Sequence, residues 1–164
     1  MTVLTSAVML VLAAGAQAKL TNHKIVLGKA IGDVSVGMTR TQVEHRLGHG
    51  RLLGHNGVRI EDWPKLGLAF TFKGSSPSAK DVAGVTNNPA YHTPQGIRIG
   101  STTAQVTAAY ASLHCVDSAD SNPDHPYKKC SRYGPAGRRT EFAFDGTGDV
   151  NRIAVGVDSV GSLA

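Results

Sequence analysis

Val34-Ser35-Val36-Gly37-Met38-Thr39-Arg40-Thr41-Gln42-Val43 returns later in the chain as Ile97-Arg98-Ile99-Gly100-Ser101-Thr102-Thr103-Ala104-Gln105-Val106. Both copies place a Thr three residues before a Gln. In this capping-box pattern the Thr hydroxyl accepts from the N3 amide and the Gln side chain reaches back to the cap amide. Met38 and Val43 stand at the hydrophobic-staple positions flanking the first cap. Val43 and Leu47, and then Val106 and Tyr110, are four apart and share a helix face. Gly48 or Gly50 closes the first helix. A second echo follows each copy: Ala69-Phe70-Thr71-Phe72-Lys73-Gly74, then Glu141-Phe142-Ala143-Phe144-Asp145-Gly146. Internal repetition of this kind fixes architecture before any other signal. It predicts an α+β protein of two tandem units, each with short helices packed on an antiparallel sheet.

The expected boundaries follow from local composition. Residues 1–18 read as a signal peptide: Val8 to Ala14 centre an apolar stretch, and Ala16-Gln17-Ala18 has the small-x-small form of a cleavage site. That stretch is too short for a permanent membrane span, so stable membrane insertion is not expected. Residues 19–88 form the first unit, with Ile25-Val26-Leu27 as a short extended piece. Asn87-Asn88-Pro89 is the break, and residues 89–164 form the second unit. Strands are expected at 58–61, 68–72, 81–86, 127–133, 139–144 and 150–157 from alternation and turn signals. The interval from cap to Phe-x-Phe is longer in the second half, and the extra length is assigned to the segment between Cys115 and Cys130.

Cys115 and Cys130 are the two cysteines of the chain. An even count in an exported protein reads as a disulfide, worth about 3 kcal/mol in the chain-entropy description. Net charge is +5 over 164 residues, with the cations scattered except between Lys128 and Arg139. A modest positive balance favours anionic surfaces such as the cell envelope. It lacks the recognition-helix and RNA-binding aromatic patterns of a nucleic-acid binder.

At Gly37-Met38-Thr39-Arg40-x-Gln42-Val43, followed by Leu47-Gly48, the chain resembles β-lactamase inhibitory protein. It is also similar to the small lipoproteins that help assemble outer-membrane β-barrels. The resemblance implies helices packed on an antiparallel sheet, two sheets side by side, and a combined face that binds a protein. A protein partner and inhibition of an extracellular enzyme are what this likeness implies, while secretion is expected from the signal peptide.

Strand alternation divides the sheet into two faces. Val58, Ile60, Leu68, Phe70, Phe72, Phe142, Phe144, Ile153 and Val155 are assigned to the helix side, with Cys130. The opposite parity is assigned Arg59, Glu61, Trp63, Ala69, Thr71, Tyr127, Lys129, Tyr133, Glu141, Ala143 and Arg152. Trp, Tyr and Arg are enriched at binding hot spots. A partner-binding surface is therefore expected at Arg59, Glu61, Trp63, Thr71, Tyr127, Lys129, Tyr133, Glu141 and Arg152, anchored by Trp63, Tyr127 and Tyr133.

Catalytic patterns are sparse. His45 and His49 are four apart, but Gly48 separates them, and no H-E-x-x-H or Cys/His ligand spacing occurs. Asp117, Asp120 and Asp124 lack the EF-hand spacing. There is no Gly-x-Ser-x-Gly and no phosphate loop. Glu61 and Glu141, on one expected parity, are the pair a glycoside-hydrolase reading would use. No cofactor or metal is expected. The leading expectation is a secreted, non-catalytic binding protein; the alternative is a cell-wall or polysaccharide-binding module.

Overall fold

The computed structural model describes residues 22–54, 58–118 and 127–157. The expected signal peptide and the tip of the segment between the cysteines lie outside the described residues. The fold is mixed α+β and mostly sheet. Among the described residues a small sheet of β1 (Ile25–Val26), β2 (Ala30–Ile31) and β3 (Val34–Ser35) comes first. Helix α1 (Arg40–Leu47) leads into β4 (Arg51–Gly54), β5 (Arg59–Trp63), β6 (Leu68–Phe72) and β7 (Asp81–Thr86). Helix α2 (Thr103–Ala109) leads into β8 (His114–Ser118), β9 (Tyr127–Tyr133), β10 (Arg138–Phe144) and β11 (Val150–Val157).

Strands β4 to β11 form one antiparallel sheet in the order β4-β5-β6-β7-β11-β10-β9-β8. The join at its centre pairs Ile153 with Thr86 and Val155 with Gly84. Both edges of the sheet are strands that follow a helix directly, and neither was expected from alternation.

Each helix starts where the capping box places it. The Thr39 amide donates to Gln42 Oε1 at 2.9 Å, and the Gln42 amide donates to Thr39 Oγ1 at 3.2 Å. Thr102 and Gln105 repeat both bonds at 2.9 and 3.2 Å. The residues before the caps are tied to the last strand that follows each helix. The Gly37 amide donates to Asp81 O, and the Gly100 amide to Val150 O, both at 2.8 Å. Gly48 caps α1 at φ +79°, a left-handed conformation that glycine adopts at no steric cost.

One apolar core lies between the large sheet and the layer made by the helices and the small sheet. Val43 and Val106 from the helices and Ile25, Ile31 and Val34 from the small sheet meet Phe70, Phe72, Phe142, Phe144, Ile153 and Val155. The Phe-x-Phe pairs are core, as expected. Burying four phenylalanines and these aliphatics, at about 2 kcal/mol per side chain, is the main term favouring the fold. Cys130 joins them, fully buried opposite Phe142, and is disulfide-bonded to Cys115 across the β8–β9 pair.

Candidate functional site

Residues directly opposite in an antiparallel ladder share a face, so the registers settle which side chains point away from the helices. One row crosses all eight strands. It runs from Arg51 and Asp62 through Ala69, Val85 and Ala154 to Glu141, Ser131 and His114. A neighbouring row carries Ile60, Thr71, Ala83, Gly156, Arg139 and Tyr133. A shorter one carries Arg152, Ala143, Lys129 and Val116.

This face has a floor of small residues at its centre and charge on either side. Arg51 pairs with Asp62 through two hydrogen bonds of 3.0 and 2.7 Å. Glu141 lies between two arginines, 3.8 Å from Arg139 Nη2 and 3.8 Å from Arg152 Nη2. Glu141 and Lys129 are both buried, so the aliphatic stem of Lys129 packs against the sheet and the Glu141 carboxylate is flanked by cations. Tyr133 at 53 % exposure and Val116 at 45 % stand at the β8–β9 end. Thr71, Lys129, Tyr133, Glu141 and Arg152 thus lie on the expected face together. Tyr127 opens β9 opposite Ser118; its side chain lies outside the described part.

Arg59, Glu61 and Trp63 do not belong there. On β5 they stand opposite Phe72, Phe70 and Leu68, on the helix side, and Ile60 takes the far face opposite Thr71. The parity of β5 is the reverse of that expected. Trp63 is 5 % exposed, packs edge-on against Phe70 at 5.7 Å, and donates its indole N–H to Gly48 O at 2.9 Å. Its apolar body is buried and its one polar atom is satisfied. Trp63 is a core anchor and is withdrawn as a contact for a partner.

Glu61 is fully buried under α1. Its Oε1 takes a hydrogen bond from Arg59 Nε and lies 3.9 Å from Arg40 Nε. Arg40 in turn pairs with Glu44 at 3.5 Å. A carboxylate in this position is tolerable only with such cations beside it. Glu61 Oε2 and Arg40 Nε are buried without a hydrogen-bond partner. Glu61 and Glu141 lie on opposite faces of the sheet, so they do not form a carboxylate pair. Among the described residues no three His, Cys, Asp or Glu side chains gather as metal ligands. No described helix is long and apolar enough to cross a membrane.

Sequence reasoning missed Val116, Arg139 and Ser131 as members of the far face. Their signal was the pairing partner: each sits opposite Lys129, Tyr133 or Glu141.

No family model matches the chain, and no curated protein matches it. Solved structures do share its fold. A DUF4309 family protein, YjgB, from Bacillus subtilis subsp. subtilis str. 168 matches with a TM-score of 0.54 at 9 % identity, over 80 % of this chain and 88 % of that one. The uncharacterized protein yfeY from Escherichia coli matches with a TM-score of 0.50 at 13 % identity, over 80 % of this chain and 98 % of that one. At such identities the likeness concerns the fold alone.

Proposed function

We propose that this chain is an exported, non-catalytic binding protein, built by duplication of one helix-plus-four-strand unit, that engages a protein through the sheet face opposite its helices. The observation that carries the reading is that Tyr133 and Val116 are both exposed on that face, Tyr133 opposite Arg139 and Val116 opposite Lys129, with the Arg139–Glu141–Arg152 cluster on the same face. Tyr and Arg are among the residues enriched at interface hot spots. The Cys115–Cys130 disulfide favours an oxidising compartment. Duplication is supported by the matching cap geometry and by the recurrence of a helix followed by four strands. Inhibition of an extracellular enzyme is the specific form suggested by the resemblance of the helix openings.

The test is site-specific photo-crosslinking in the organism that makes the protein. A benzophenone side chain at position 133 or 116 should trap one protein, and the same group at exposed Thr107 on α2 should not. With the trapped partner purified, Tyr133→Ala should weaken binding by about 2 kcal/mol, with little dependence on salt. Equal trapping from position 107 would end the reading. Capture of an anionic polysaccharide that high salt releases would replace it with envelope binding through scattered cations.

A further inference from the structure

Residues 95–101 and the outer side of α2 line an open groove of about 530 Å³, a volume within the usual range for small-molecule sites. The first half closes the corresponding space. There Arg46, seven residues past the cap Thr39, reaches from α1 to the carbonyl of Asp33 at 2.9 Å. Seven residues past Thr102 stands Ala109, and Ala108 precedes it where α1 has His45. Ala109 leaves open the space that Arg46 crosses in the first half.

Three polar side chains around this groove, Gln95, Arg98 and Gln105, have donors to offer, and the Ser101 hydroxyl accepts from the Arg98 amide at 3.1 Å. Gln95 Oε1 already accepts from the Tyr110 hydroxyl at 2.9 Å, and Gln105 Oε1 accepts from the Thr102 amide at 2.9 Å. Each glutamine therefore has its NH₂ group left to offer. Arg98 contributes a guanidinium, and no carboxylate is among the residues lining the groove. Ile97, Ile99 and the two alanines make the apolar part of the wall. We propose that the groove binds a small aliphatic carboxylate. Its oxygens take hydrogen bonds from Arg98 and the glutamine amides, and its hydrocarbon lies along Ile99, Ala108 and Ala109. Planar guanidinium matches carboxylate geometry, the lining's one charge is positive and favours an anion, and the apolar wall favours one that carries a hydrocarbon.

Hexanoate and hexanamide test this, because they share shape and differ in charge. They are titrated at constant ionic strength into isotope-labelled protein, with the backbone amides of Gly96 and Gly100 and the side-chain amides of Gln95 and Gln105 followed by NMR. Hexanoate should shift these signals saturably, with a Kd on the order of a millimolar for a ligand this small. Hexanamide should not. Arg98→Gln should weaken hexanoate about tenfold, the loss of a charge-assisted contact, and Ala108→Leu should block it. Both positions are exposed, so neither change disturbs the core. Equal shifts with hexanamide, undiminished binding in either variant, or unsaturable shifts spread over the basic surface would overturn the proposal.

Discussion

Asp81 carries an ionisable group in a place that favours a neutral one. It stands opposite Phe72 at the start of β7, and its Oδ1 accepts only the Ala83 amide at 3.1 Å. Burial pushes its pKa from the ordinary 3.8 up to about 8, against a smaller lowering by that hydrogen bond. The folded state therefore binds this proton more tightly than the unfolded state. The contribution to stability is fullest below about pH 4 and is lost as pH rises toward about 8, by at most about 1.4 kcal/mol per pH unit. Asp81→Asn keeps the shape and the acceptor without the charge. Its stability should exceed the wild type's at pH 8 and match it near pH 4, measured by urea unfolding; parallel curves would refute the assignment. Asp81 is also a residue that alternation alone does not flag. The same blindness reversed β5: Val58 and Ile60 looked like the buried parity, because Glu61 is tolerable inside only with Arg59 of its own strand and Arg40 of a separate helix beside it. A buried charge is legible only with its partners, and here one of them, Arg40, lies outside the strand while Arg59 lies on it.

The two helices were legible because their start signals are local. A Thr and a Gln three residues apart close their own ring of hydrogen bonds. Thr39→Ala and Thr102→Ala should each cost about 1 kcal/mol, read by thermal or chemical unfolding, and Thr→Ser at either cap should restore most of it. A variant pair without effect would mean that packing of Val43 and Val106 alone sets the helices. The edge strands were not legible, for the opposite reason. β4 is Arg51-Leu52-Leu53-Gly54, with a register shift between Leu52 and Gly54, and both leucines are more than half exposed. β8 devotes one residue to a disulfide and borrows its order from β9. An edge strand is paired on one side only, so its sequence need not alternate cleanly, and irregular edges resist further pairing.

At the scale of the molecule, the sheet is continuous through the β7–β11 join, and the core extends beneath both sides of it. Unfolding should therefore be a single transition. Fluorescence of Trp63, in the first half, and far-ultraviolet circular dichroism of the whole chain should give one midpoint; two midpoints would show halves that melt apart. Gly156 stands at the join, where an added Cβ would come within 2.7 Å of Val82 O and 2.9 Å of Ala83 Cβ. Gly156→Val should lower that midpoint for both probes, costing about 3 kcal/mol. The pairing of the two halves was beyond the reach of pattern reading, because no periodicity says which strand of one half meets which of the other.

The turn between β1 and β2 is tied to β10, far along the chain. The Gly28 amide donates to Thr140 Oγ1 at 2.7 Å, 112 positions away, and Arg138 reaches back to the Gly28 carbonyl at 3.0 Å. A polypeptide emerging amino end first must then hold its opening strand in waiting until nearly everything else has been synthesised.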